Sequence, residues 1–205
     1  KISGLSSFSV LEKTIEEQKT DPEFAKVVAR IDKLCKASFD ANTSILIDAE
    51  ESWIQNTIDW IAEAMMQKYN TGKAIVYTTV QLYRHDRLDF LKESLAKAEK
   101  GNYKIGVKLV RGAYMEKERA RAKAKNYPSP INATKKDTDI LYDQSLEFCL
   151  KNIKFISFFA GTHNEESSLY LTKLMNEANI NKSDTRVYFA QLLGMSDHIS
   201  FNLAN

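Results

Sequence analysis

Residues 103–114 read Tyr-Lys-Ile-Gly-Val-Lys-Leu-Val-Arg-Gly-Ala-Tyr. The first eight, Tyr103 to Val110, are rich in aliphatic side chains and predict a strand. A charged helix is expected to follow, from Tyr114 to Lys125. Lys108 lies inside the strand and Arg111 at its end. An ammonium group in a strand core needs a charge partner or a ligand, because removing it from water is costly. A strand running into a helix, with cations at its C-terminal end, is the repeating unit of an α/β protein that gathers its chemistry on one rim.

The same unit recurs outward in both directions. Apolar runs at Lys1–Leu5, Ser44–Asp48, Ala74–Thr79, Lys154–Phe159 and Arg186–Ala190 bring the expected strands to six. Amphipathic segments separate them. Ser9 and Glu12 have capping-box spacing and predict a helix there. Asp21-Pro22-Glu23 opens another, to about Cys35, with proline at the tolerated first position. Trp53, Ile54, Ile58, Ile61, Ala62 and Met65 recur at helical spacing and predict a helix over 52–69. Further helices are expected over 86–99, from the Thr134/Asp137 cap to Leu150, and over 165–178. Residues 126–133 hold two of the three prolines and read as a loop, and the tail to Asn205 begins one more helix. The strand runs show no clear polar alternation, as expected where both sheet faces are covered.

Strands alternating with helices imply a parallel sheet. Two architectures satisfy this, an open doubly wound sheet and a (β/α)8 TIM-like barrel. Polar residues at strand ends favour the barrel. Asp48 ends the second run, Gln81 follows the third, Thr162 and His163 follow the fifth, and Gln191 follows the sixth. A barrel collects one group from each of several strands, whereas an open sheet concentrates them at its switch point. Each residue also has a plainer explanation. Asp48 serves equally well as a helix cap, Gln81 reads more simply as a loop residue, and a lone His163 is usually structural.

Composition narrows the function classes. The 205 residues are 43% hydrophobic and 27% charged, with net charge +2. That is an ordinary globular balance, without the basic footprint of a nucleic-acid binder. No apolar run approaches the ~20 residues that span a bilayer. Cys35 and Cys149 lack metal-ligand spacing and read as two buried free thiols. Asp48, Glu50 and His163 form at best a weak metal-ligand set, and the expectation is no metal. There is no GxGxxG, GxxxxGK[ST] or GxSxG motif. The opening at Lys1, without methionine and inside an expected strand, points to a piece of a longer protein.

Lys108-Leu109-Val110-Arg111-Gly112-Ala113-Tyr114 is very similar to the fourth-strand signature of the proline dehydrogenase family. Ile47-Asp48-Ala49-Glu50 resembles its second-strand acid motif, and Thr79-Val80-Gln81-Leu82-Tyr83 its third-strand segment. Gly161-Thr162-His163-Asn164 and Tyr188–Met195 resemble the fifth and sixth, and Lys1-Ile2-Ser3-Gly4-Leu5 the first. The likeness covers essentially the whole chain, 1–205, as one partial barrel domain of about six βα units, cut short at both ends. It implies FAD-dependent oxidation of L-proline to Δ1-pyrroline-5-carboxylate, with electrons passed to a membrane quinone and possible peripheral association with the membrane. By position it implies that Lys1 pairs with the proline carboxylate and that Asp48 and Lys108 are active-site residues. It further implies that Ala49, Gln81, Arg111, Gly112, Ala113, Thr162, His163 and Gln191 contact FAD.

The order of Lys108 and Arg111 looks like the eukaryotic-type branch, since many bacterial relatives carry arginine first and lysine second. Met115 stands where many bifunctional relatives have tryptophan. The resemblance places the protein on the cytoplasmic side of the inner membrane if bacterial, and in the mitochondrial matrix or inner membrane if eukaryotic. Substrate-clamping groups of the family's last strand and final helix are not among these residues, so the polypeptide alone is expected to be inactive. A non-catalytic flavin-binding or assembly module and an unrelated metal-assisted barrel enzyme remain the alternatives.

Overall fold

A computed structural model describes residues 1–204. Among them, five parallel strands form one sheet: β1 (Ile45–Ile47), β2 (Val76–Gln81), β3 (Ile105–Val110), β4 (Ile156–Gly161) and β5 (Val187–Ala190). Their spatial order is their chain order. That is the wall of a (β/α)8 barrel, not the reversed order of a doubly wound sheet. The five strands form an incomplete TIM-like barrel.

Three helices precede the sheet: α1 (Phe8–Leu11), α2 (Ile15–Lys19) and α3 (Pro22–Asp40). Crossovers are made by α4 (Ser52–Tyr69), α5 (Arg87–Gly101), α6 (Met115–Lys125) with α7 (Lys135–Lys151), and α8 (Glu165–Glu177). The tail forms α9 (Asp197–Ala204), and Asn205 lies outside the described residues. Local chemistry sets several starts. Asp21 accepts from the Glu23 amide at 2.8 Å with Pro22 in the first turn, and Thr134 forms a capping box with Asp137. Residues 126–134 form the expected loop.

Both faces of the central strands are covered, as expected from their composition, and β2 is buried along its whole length. Val76, Thr78 and Val80, Ile105, Val107 and Leu109, and Ile156, Phe158 and Ala160 are all buried on one side. The residues between them point to the other, inner face. There, Thr79 pairs with Lys108, Lys108 with Phe159, and Phe159 with Tyr188. One polar residue amid long aliphatics hides the period in the sequence, because Val110, Phe159 and Ala190 are apolar and still face inward. An aromatic ladder crosses this face from Tyr77, one inward position before Thr79, to Phe159 and Tyr188, which are level with Lys108. Tyr77 meets Phe159 edge-on at 5.1 Å, and Phe159 stacks on Tyr188 at 4.5 Å. Gly106 lies under the ladder, where a Cβ would stand 2.5 Å from the Val76 carbonyl oxygen and 2.7 Å from the Tyr77 ring.

Two sequence expectations fail near the N-terminus. Lys1–Leu5 is not a strand, so there are five and not six; Ile2–Gly4 form a 3-10 turn. Its only buried residue is Ile2, and the Ser3 amide is spent on the Glu50 carboxylate at 2.9 Å, so it has no ladder to join. Ser9 and Glu12 do not form a capping box either. Ser7 precedes α1 and Glu12 follows it, while the real box joins Thr14 to Glu17 and starts α2. Both serine and threonine recur in this segment, and spacing alone does not choose between them. Cys35 and Cys149 are buried and free; burial pushes the Cys35 thiol up to about 11, leaving it unreactive.

The strand N-termini are tied by one side chain. Asn70, fully buried after α4, donates to the carbonyls of Val76 and Lys104 at 2.8 and 3.0 Å. Its Oδ1 accepts from the Ile75 and Val76 amides at 2.9 and 2.8 Å. Asn70→Ala orphans four backbone groups at once. It is expected to cost about 3 kcal/mol, read as a lowered urea midpoint.

Candidate active site

The C-terminal ends of the strands surround a cavity of about 660 Å3. Each strand delivers a residue to it from its inner face or from the turn that follows. Asp48 and Ala49 follow β1, and Thr79 and Gln81 come from β2. Lys108 and Val110 come from β3, with Arg111, Gly112, Ala113 and Tyr114 in the turn beyond it. Gly161, Thr162, His163 and Asn164 end β4, and Ala190 and Gln191 end β5. Lys1 closes one side from the N-terminal turn. All eleven site residues expected from the sequence therefore line one cavity, while Met115 is exposed and off it.

The centre is an ion pair that reaches past β2, from Lys108 on β3 to the residue that follows β1. Lys108 Nζ donates to Asp48 Oδ1 at 2.6 Å. Asp48 does not cap α4, whose preceding position is Glu51. Both side chains are partly open to solvent, and such a pair adds at most about 1 kcal/mol of stability. Its position at the cavity, rather than its strength, is its significance. Gln81 is buried at the end of β2, so the loop explanation fails for it.

Arg111 is the most restrained group. Its Nε donates to Asp139 at 2.7 Å, one terminal nitrogen to Thr162 Oγ1 at 2.7 Å, and the other to Ser167 Oγ at 3.0 Å. Its guanidinium also lies over the Tyr142 ring, 4.4 Å from the centroid. Thr162 Oγ1 in turn accepts from the Asn164 amide, and Asn164 caps α8. His163 is therefore held at the rim, exposed, between two fixed neighbours. Gln191 donates to the Thr162 carbonyl at 3.2 Å and accepts from Ser200 of α9 at 2.9 Å.

Gly112 has a φ of +129°, and a Cβ there would stand 2.5 Å from the Tyr83 ring. The turn thus needs glycine for its backbone and for the tyrosine beneath it. Lys1 Nζ donates to the Tyr114 hydroxyl at 2.8 Å. That hydrogen bond, with lesser attraction from Glu50 and Asp48, raises the Lys1 amine above its ordinary value.

Tyr114, Thr79, Asn164 and Lys135 also line the cavity and were not singled out from the sequence. Tyr114 directly follows the Arg111-Gly112-Ala113 turn, and that adjacency was the available signal. Lys135 and its partner Asp139 belong to α7, remote in sequence from every strand end, and carry no linear signal.

A model described as "Proline dehydrogenase" matches residues 4–205. The chain belongs to the proline dehydrogenase family. It is 37% identical over 195 residues to Drosophila melanogaster "Proline dehydrogenase 1, mitochondrial", covering 90% of this chain and 29% of that protein. The human protein of the same name is 34% identical over 184 residues, covering 88% and 31%. The chain thus spans about a third of the curated relatives it matches. The fold of the family is shared with proline utilization A of Bdellovibrio bacteriovorus, a structure inactivated by N-propargylglycine. Its TM-score is 0.87 at 21% identity, over 99% of this chain and 20% of that one.

Asp139 gives this family site an acid-sensitive seam. Burial pushes its carboxyl up, but hydrogen bonds from Lys135 and Arg111 outweigh this and hold it below the ordinary 3.8. A carboxylate depressed on folding stabilises the fold above its unfolded value, and that contribution fades as pH falls through the lower folded value. Asp139→Asn is therefore expected to lower the denaturant midpoint at pH 7. The gap to the parent should narrow between pH 4 and pH 2.

Proposed function

We propose that this chain carries the FAD- and proline-facing floor of a proline dehydrogenase, which oxidises L-proline to Δ1-pyrroline-5-carboxylate and passes the electrons to a membrane quinone. The observation that carries the reading is the convergence of Lys108, Arg111 and Lys1 on one cavity at the strand C-termini, in a chain of this family.

The cavity fits FAD by the chemistry of its walls. Two fixed cations, two carboxamides and the backbone of small residues suit a flat heterocycle with carbonyl acceptors that gains negative charge on reduction. Ala49, Gln81, Arg111, Gly112, Ala113, Thr162, His163 and Gln191 would hold it. Bound there, FAD supplies the two-electron acceptor for the hydride leaving the proline carbon beside nitrogen.

The protein's own part is electrostatic and positional. Lys1 Nζ binds the proline carboxylate and orients the ring. As the hydride departs, the ring nitrogen's lone pair closes the C=N bond and its proton passes to solvent. Lys108 Nζ, oriented by Asp48 Oδ1, would supply positive charge to the cavity beside the bound acceptor. Arg111 adds a second cation that is already rigid, so no reorganisation accompanies the reaction. Asp48 acts as the group that aims Lys108.

Among the described residues no helix is long and apolar enough to cross a membrane. Contact with the quinone pool is proposed as peripheral. The mitochondrial names of the relatives support a mitochondrial location for a eukaryotic source, and the matrix or inner membrane is the proposal within it. The cytoplasmic side of the inner membrane is the proposal for a bacterial one.

Anaerobic mixing of the holoenzyme with L-proline is expected to bleach a flavin absorbance band. A protein without that band, or with one proline leaves intact, would sink the proposal. Lys108→Met is expected to slow the bleaching by about 10²–10³-fold, the usual effect of removing one preorganised charge-stabilising donor. The 205-residue polypeptide by itself is expected to show little bleaching, since β1 and β5 each have one strand neighbour among the described residues and the wall is unclosed.

A further inference from the structure

The five residues after β1 hold more than Asp48. Glu50 is 3% exposed and aims its carboxylate at the N-terminal turn. One oxygen accepts from the Ser3 amide at 2.9 Å, and the other accepts from the Ser3 hydroxyl. Glu50 is itself fixed, because its amide donates to Gln55 Oε1 at 2.9 Å and Gln55 donates to buried Asp59 at 2.9 Å. Asp59 is completed by Arg87 at 2.8 Å.

The next two residues reach the other way. Lys117 of α6 pairs with Glu51. Glu118, fully buried on α6, accepts from the Ser52 amide and hydroxyl, both at 2.6 Å. Tyr114 immediately precedes α6. The 48–52 segment therefore anchors the turn bearing Lys1 on one side and, on the other, α6, which begins directly after Tyr114. Lys1 and Tyr114 meet at 2.8 Å over the cavity.

We infer that Glu50 is a positioning residue for substrate binding: by gripping Ser3 it sets Lys1 over the cavity mouth to receive the substrate carboxylate. The inference rests on the proposed role of Lys1. Ile2–Gly4 is a single 3-10 turn with one buried side chain, so few other contacts fix its orientation. A buried carboxylate with two donors from one residue is a directional tether. Lys1 is exposed and long, with rotamer freedom that the tether and the Tyr114 hydroxyl together restrict.

The test uses the holoenzyme and cyclopentanecarboxylate, a proline analogue without the ring nitrogen, titrated through the change it causes in the flavin spectrum. Lys1→Met and Glu50→Ala are each expected to weaken binding about tenfold, equivalent to ~1.4 kcal/mol. Glu50→Ala added to Lys1→Met is expected to weaken it no further, because the two act as one unit. Glu50→Gln should restore binding to within about twofold of the parent, since an amide still accepts from the Ser3 amide and can donate to its hydroxyl. Ser3→Ala, which removes one contact and leaves Glu50 in place, should weaken binding about threefold, as expected for one hydrogen bond.

Wild-type affinity in Glu50→Ala, with Lys1→Met weakened, overturns the positioning role alone. Additive losses in the double variant overturn it too, since they mark a general structural effect. Failure of Glu50→Gln to restore binding overturns the hydrogen-bonded tether. Should Glu50→Ala not fold, unchanged affinity in Ser3→Ala overturns the tether on its own. Wild-type affinity in Lys1→Met overturns the carboxylate role of Lys1 and the inference built on it.

Discussion

A parallel strand turns consecutive side chains to opposite faces, and in this protein that period of two separates stability from chemistry. On β3, Val107 and Leu109 are buried under the helices while Lys108 between them faces the cavity. A slip of one residue would put an ammonium into the aliphatic layer and two aliphatic side chains into the polar mouth. The pairing of Thr79 with Lys108 and of Lys108 with Phe159 therefore fixes the site and the core together.

Height along the strands divides the inner face again. Tyr77 closes it nearer the N-termini, the Phe159 and Tyr188 rings close it beside Lys108, and the Asn70 amide ties the strand starts. At the C-termini the side chains become Thr79, Gln81 and Lys108, with small Gly161 and Ala190 leaving room. This is the division of labour of barrel enzymes, with stability at one end and chemistry at the other.

The charges at the mouth are restrained from outside it. Arg111 is held by α7 and α8 through Asp139 and Ser167, and Lys108 by Asp48, whose 48–52 segment grips Ser3 through Glu50 and is itself gripped at Ser52 by Glu118 of α6. Cations fixed in this way can face a developing negative charge without rearranging. Their partners carry little stability where exposed, and their value lies in direction.

The sequence by itself determined the parallel α/β class, the proline-opened helix at Pro22, the Thr134 cap and the rim residues from Asp48 to Gln191. Those features follow from local chemistry or from motifs of a few adjacent residues. It misread Lys1–Leu5 as a strand, because a short apolar run does not reveal whether a ladder partner exists. It placed a cap at Ser9, because several hydroxyls shared the right spacing. It hid the alternation of the strands, because inward positions such as Phe159 are also apolar. Only the tertiary structure decided that Asp48 takes Lys108 rather than capping α4, that Asp139 restrains Arg111, and that Glu50 holds Ser3. Each of those contacts joins residues at least 28 positions apart. Their partners are chosen by packing and strand register, which no local pattern encodes.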